Sequence, residues 1–318
     1  MLRLRPTTTA LFMALNRGTA SYSSPPPLPP LVSASDLLGR PGVKFIDCSW
    51  HLGGSRDAKA DHAEGRIPGA AFFDLDEVSD ATSDLPHMLP TAEKFGEACG
   101  ALGVERSDTV VCYTRRGCFS APRVWWTFKV FGHENCHVLQ GGLDAWKAVG
   151  GCIESGDAAQ ASPAVYKGAC LNPDLVVDTG KVLAASQDKS ALVVDARSEG
   201  RFHGTAPEPR EGLRGGHLPG SVNLPASSLL LEGDTTSFRA PDEIRRAFEG
   251  VGVRPDSPVI TTCGSGVTAG VLTFGLHLCY PSKPIAAVYD GSWSEWGARD
   301  DLPVVGGQGV VQENPHAP

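Results

Sequence analysis

Apolar residues in this chain fall into short β-branched runs separated by stretches in which they recur at helical spacing. Val43-Lys44-Phe45-Ile46-Asp47, Val110-Val111-Cys112-Tyr113-Thr114, Ala191-Leu192-Val193-Val194-Asp195 and Val259-Ile260-Thr261-Thr262-Cys263 read as buried strands. Segments 91–102 and 241–251 read as helices, as does the apolar stretch from Val267 to Tyr280, which is free of proline until Pro281. Gly-rich turns join these pieces. Such alternation predicts an α/β fold built on parallel sheets, each flanked by helices on both faces.

The pattern occurs twice. Arg66-Ile67-Pro68-Gly69-Ala70 answers His217-Leu218-Pro219-Gly220-Ser221, and Leu102-Gly103-Val104 answers Val251-Gly252-Val253. One offset of 149 residues relates Thr114 to Cys263 and Gly142 to Gly291. Two copies of one domain are therefore expected, at 31–155 and 173–306. Between them lies a Gly, Ala, Ser and Pro-rich linker at 156–172, with a tail at 307–318.

The copies differ where chemistry would sit. In the second, Cys263 stands between a strand and a helix, followed by Gly264-Ser265-Gly266-Val267-Thr268. A helix start offers unpaired N–H groups and partial positive charge, which favour an anion such as a thiolate, and glycines let the turn fold tightly around it. The competing reading of Cys263 is a small buried apolar residue, as most free cysteines are. In the first copy Thr114 takes the equivalent place, followed by Arg115-Arg116-Gly117-Cys118-Phe119-Ser120. Cys118 is displaced by four positions, so this copy is expected to lack a nucleophile and to form one wall of a cleft, with Cys118 exposed enough to oxidise. Arg115 and Arg116 either lend that cleft positive potential or lie on a solvated loop face.

Composition narrows the function classes. The chain has 318 residues, 41% hydrophobic and 20% charged, with a formal net charge of -8, which fits two soluble domains and argues against a nucleic-acid partner. No apolar stretch approaches a membrane span. The nine cysteines include no Cys-x-x-Cys pair and no cluster at metal-ligand spacing, so neither a metal nor a disulfide framework is expected. Residues 1–35 carry Arg3, Arg5 and Arg17 and no acidic residue before Asp36, and they run into a proline tract. This composition suggests an organellar transit peptide or a disordered terminus over 1–30, with mitochondrion ahead of plastid or cytoplasm.

Several segments together resemble the two-domain rhodanese-like sulfurtransferases. They are Phe72-Phe73-Asp74-Leu75-Asp76, Pro86-His87-Met88-Leu89-Pro90, Ser120-Ala121-Pro122-Arg123-Val124-Trp125-Trp126, Gly200-Arg201-Phe202 with Pro207-Glu208-Pro209-Arg210, and Tyr289-Asp290-Gly291-Ser292-Trp293. The Cys263-Gly264-Ser265-Gly266-Val267-Thr268 loop is similar to that of the branch using 3-mercaptopyruvate, whereas the thiosulfate-using branch sets an Arg-Lys pair after the cysteine.

The resemblance implies tandem rhodanese-like domains and transfer of a sulfane sulfur through a persulfide on Cys263, with no organic cofactor or metal. It implies a Ser265–His87–Asp76 proton relay and Arg201 and Arg210 on the substrate carboxylate, with Gly264, Gly266, Val267 and Thr268 lining the site. The small-molecule donor would leave as pyruvate. The acceptor would be cyanide, a low-molecular-weight thiol or a protein thiol such as thioredoxin.

Guanidinium groups suit a carboxylate because they bind it in a fork, and histidine can exchange protons near neutrality. Read without the resemblance, His87 could be a satisfied loop residue, Asp76 a helix cap, Arg201 and Arg210 solvent-exposed, and Trp125, Trp126, Trp293 and Trp296 core aromatics. Arg197 is expected in a structural salt bridge. Two positions depart from the family pattern: Phe119, where some members have tyrosine, and Arg66, where histidine is usual. The rivals are a thiosulfate:cyanide sulfurtransferase, a sulfur-carrier module without turnover, and a cysteine phosphatase. The last needs an arginine six residues after the cysteine, where this chain has Ala269.

Overall fold

In chain order the elements are β1 Leu31–Val32, α1 Ala34–Leu37, β2 Val43–Asp47, α2 Ala58–Glu64, β3 Ala71–Phe72, α3 Ala92–Ala101, β4 Thr109–Tyr113, α4 Ala121–Val130, β5 Cys136–Leu139 and α5 Gly142–Ala148. There follow β6 Val176–Val177, α6 Thr179–Asp188, β7 Leu192–Asp195, α7 Glu199–Phe202, β8 Val222–Asn223, α8 Pro241–Gly250, β9 Val259–Thr262, α9 Ala269–Cys279, β10 Ala287–Tyr289 and α10 Ser292–Trp296. A final pair, β11 Val304–Val305 and β12 Val311–Gln312, closes the chain. This computed structural model describes residues 26–54, 56–158, 161–306 and 311–312.

Two five-stranded parallel sheets form, ordered β1-β5-β4-β2-β3 and β6-β10-β9-β7-β8. The second order is the first shifted by one repeat, so the duplication read from sequence is a duplication of topology. Side-chain alternation along each strand feeds both faces of the sheet. In β4, Val110 and Cys112 enter one apolar cluster while Val111 and Tyr113 enter another with α1 and α5. Helix caps agree with sequence: Thr91 accepts from the Lys94 N–H at the start of α3, and Asp178 accepts from the Lys181 N–H at α6.

The halves join through equivalent helices. α9 is apolar on every side, as a helix buried all round must be, and it packs along α4, its counterpart in the first copy. Trp125 meets Phe274 edge-to-face at 4.7 Å, within a cluster that spans both domains. A Cβ on Gly270 would lie 2.8 Å from the Arg123 backbone, so glycine is what lets the two helices start side by side.

Three segments outside the repeats are fixed by contacts that composition does not report. The linker packs against the first domain: Tyr166 is buried against Phe95 and His133, and the Asn172 N–H donates to Val130 O. An Ala- and Gly-rich stretch without periodicity can still be fixed by backbone hydrogen bonds and one aromatic anchor. Pro26–Pro30, assigned with the leader, lies on the first sheet's edge, where Pro30 O accepts from the Val138 N–H. The tail supplies β12, antiparallel to β11. Residues 1–25, with Arg3, Arg5 and Arg17, lie outside the described residues, as does most of the tail.

Candidate active site

Ligand sites in open α/β sheets favour the carboxyl ends of strands, and here the two sheets bring such ends together. A cleft of about 310 Å³ is lined by Cys263, Gly264, Ser265, Val267 and Thr268 after β9, and by Arg201 and Arg210 from the segment around α7. Trp50, Leu52, Gly117 and Phe119 of the first domain close it. Both copies contribute, and the copy with Thr114 forms a wall.

Cys263 is buried at the end of β9, and its turn is held by the start of α10. The Cys263 N–H donates to Ser292 Oγ at 3.3 Å, Cys263 O accepts from the Trp293 N–H at 3.0 Å, and Gly264 O accepts from the Ser294 N–H at 2.8 Å. Gly266 sits at φ 79°, in the left-handed region, where a side chain would be strained.

Ser265 reaches across the domain interface. Its Oγ lies 2.9 Å from His87 Nδ1, and His87 Nε2 lies 3.0 Å from Asp76 Oδ1. An ionised carboxylate only accepts, so Nε2 carries the proton in neutral His87 and Nδ1 is free to accept from the Ser265 hydroxyl. The hydrogen bond from His87 holds Asp76 below the usual carboxylate range, against the opposing effect of partial burial. Asp76 and His87 of one domain and Ser265 of the other thus form a continuous chain of hydrogen bonds that ends two residues from Cys263.

A fourth member, Trp50, carries no motif in the sequence. Trp50 Nε1 donates to Asp76 Oδ2 at 3.0 Å, and its ring stands edge-on to His87 at 4.8 Å. Its place three residues beyond β2, at a strand's carboxyl end, was the available signal.

The two arginines are not equivalent. Arg201 Nη2 and Nε donate to Glu208 Oε2 at 2.6 and 3.1 Å. Glu208 is also bound by Arg197 Nη1 at 2.7 Å, and Arg197 is buried on Asp195 and stacked 4.1 Å over Trp293. Arg197 thus sits in the structural ion pair expected of it. Arg210 has no carboxylate within salt-bridge reach among the described residues, only Ser265 Oγ at 3.4 Å, and burial pulls its guanidinium below its ordinary value. It is the cation left open toward the cleft.

Other candidates lie elsewhere. Arg115 turns back onto Asp61 O and Gly65 O, and Arg116 pairs with Asp144 at 3.3 Å, so neither lines the cleft. Cys118 is fully buried, with burial pushing its thiol up and His51 Nδ1 at 3.7 Å, which corrects the expectation of an exposed, oxidisable thiol. The side chain points behind the wall that its neighbours Gly117 and Phe119 present to the cleft. Arg66 is buried in an ion pair with Glu154, away from the cleft. Among the described residues no cluster of His, Cys, Asp or Glu is placed to hold a metal, and no helix is long and apolar enough to cross a membrane.

Comparison with known proteins points one way. A rhodanese-like domain profile matches residues 32–149 and again 178–299. Thiosulfate/3-mercaptopyruvate sulfurtransferase 1, mitochondrial, of Arabidopsis thaliana is 40% identical over 299 residues, covering 86% of this chain and 78% of the relative. The human 3-mercaptopyruvate sulfurtransferase is 43% identical over 264 residues, covering 82% and 86%. The crystal structure of SseA from Escherichia coli, a 3-mercaptopyruvate sulfotransferase of rhodanese fold, superposes with a TM-score of 0.74 at 37% identity, covering 83% of this chain and 98% of that one.

Proposed function

We propose that this chain, which belongs to the rhodanese-like domain family and is a sulfurtransferase, takes its sulfur from 3-mercaptopyruvate and carries it as a persulfide on Cys263. The observation that carries this reading is the 2.9 Å contact of Ser265 with His87, because it sets a proton relay beside the cysteine in a cleft that also holds Arg201 and Arg210.

The Cys263 thiolate attacks the donor's sulfur, forming an S–S bond as the C–S bond breaks. The bonding electrons leave on the pyruvate enolate. A proton reaches the enolate carbon through Ser265 and His87, the donor's own thiol proton being sufficient, while Asp76 holds the imidazole in the required tautomer. Arg210 and Arg201 hold the carboxylate. An acceptor thiolate or cyanide then takes the outer sulfur and returns Cys263 to its starting state. Splitting the transfer through a covalent intermediate replaces one hard step by two easier ones.

A second reading, thiosulfate as donor, is favoured by the open Arg210 cation beside Cys263 and by the double name of the Arabidopsis relative. Against it stands the relay, since sulfite leaves without needing a proton on carbon. Side-by-side turnover with the two donors decides. The reading expects the larger kcat/KM for 3-mercaptopyruvate, with pyruvate released, and a clear preference for thiosulfate would overturn it. We place the enzyme in the mitochondrion on the basic, acid-free leader composition, an address supported by the name of the Arabidopsis relative.

A further inference from the structure

His87 and Ser265 belong to different domains, so the 2.9 Å between them is set by whatever holds the two copies in register. His87 also has a left-handed backbone, φ 62°, unusual for a residue with a side chain. Something must hold it there.

One buried ion pair bridges the two domains beside this junction. Arg123, in α4 of the first domain, donates from Nη1 to Asp290 Oδ1 at 2.6 Å, and Asp290 follows β10 of the second domain. Both side chains are almost wholly buried, at 1% and 3% exposure. Arg123 Nη2 donates to His87 O at 2.6 Å, and Asp290 Oδ2 accepts from the Leu89 N–H at 2.7 Å, so the pair holds the backbone that leaves His87 at two points. Arg123 Nη1 also lies 3.4 Å from Gly266 O in the cysteine loop, and a Cβ on Gly266 would come within 2.6 Å of it. Trp126 supports the guanidinium from 4.5 Å. Breaking a buried pair is costly because it strands the remaining charge, so the contact has few alternative arrangements.

We infer that Arg123 and Asp290 are positioning residues that fix the His87 imidazole against Ser265, making the proton relay dependent on the register of the two domains. This rests on the reading of His87 as the relay that protonates the enolate. Lysine at 123 keeps the charge but has no fork, so it cannot hold Asp290 and His87 O together. A misplacement of about 1 Å at a reacting group costs on the order of a hundredfold in rate.

The test is a double-mutant cycle with 3-mercaptopyruvate. Pyruvate release is followed at high enzyme concentration, with donor in excess and cyanide as acceptor, so that kcat and KM of slow variants are still measurable. Wild-type turnover of this donor is measured first, and its absence would overturn the donor assignment itself. With an active wild type, Arg123→Lys should lower kcat roughly ten- to a hundredfold with KM changed less than about twofold, because substrate binding lies with Arg201 and Arg210. In a His87→Ala background the same change should cost less than about twofold, because the group it positions is gone. Asp290→Asn provides the same cycle from the other side should Arg123→Lys fail to fold. Near-wild-type kcat in either folded variant, or an equal loss with and without His87, would overturn the inference and leave the pair a structural contact.

Discussion

Arg210 and Arg201 should differ in importance, and the difference follows from Glu208. Substrate must share Arg201 with Glu208, which takes two of its N–H groups, whereas Arg210 has no competing carboxylate among the described residues. Removing Arg201 does not strand Glu208, because Arg197 still binds its other oxygen at 2.7 Å. Arg201→Ala should therefore lose one charge-assisted hydrogen bond at the low end of the usual range, about 1.5 kcal/mol, or roughly tenfold in kcat/KM. Arg210→Ala removes the uncompensated cation, and the high end, about 3 kcal/mol or on the order of a hundredfold, is expected. Arg210→Lys should recover part of this, since an ammonium supplies charge without the fork. The assay is kcat/KM for both donors across the three variants. Thiosulfate has no carboxylate, so its loss should be smaller at both positions. Equal factors for the two donors would make the arginines general anion attractors and refute the clamp. A larger loss at Arg201 than at Arg210 would refute the part assigned to Glu208.

Two further outcomes follow from burial. Cys118→Ser should retain activity within about tenfold of wild type in steady-state assays, roughly 1.4 kcal/mol of barrier at most, because the side chain faces away from the cleft, and a greater loss would give the first copy a share in the chemistry. Desolvation by burial lowers His133, His137, His217 and His277 below the ordinary histidine value. The unfolded chain therefore binds protons that the folded one refuses, so stability is full above about pH 6.5 and falls as pH drops from there toward the folded values. Tm measured at pH 7.5 and pH 5.5 should be lower at the acid value, and equal or higher Tm there would contradict the sign.

Much of this was legible in sequence because it is local. The β-branched run ending at Thr262, the apolar helix beyond it and the repeat offset each leave a periodic trace, and they yielded two equivalent sheets with Cys263 at a strand end. The contacts between copies leave no such trace. Ser265 and His87 are 178 residues apart, and nothing in either local pattern names the other as its partner. The matching segments supplied that pair through resemblance, but no role accompanied Trp50, Glu208, Arg123 or Asp290. Their types are common in loops and helices, and only tertiary placement distinguishes them. The packing of the linker leaves no periodic trace either, because it comes from Tyr166 meeting Phe95 edge-to-face.

The central claim is that sulfur passes through Cys263, and intact-protein mass after brief exposure to 3-mercaptopyruvate without acceptor tests it most directly. The native enzyme should become heavier by one sulfur atom while releasing one pyruvate per chain, with the addition located on Cys263 by digestion and removed by cyanide. Cys263→Ser should fold, gain no mass and release no pyruvate. Pyruvate release without the added sulfur, sulfur found on another of the nine cysteines, or turnover by Cys263→Ser would contradict the account.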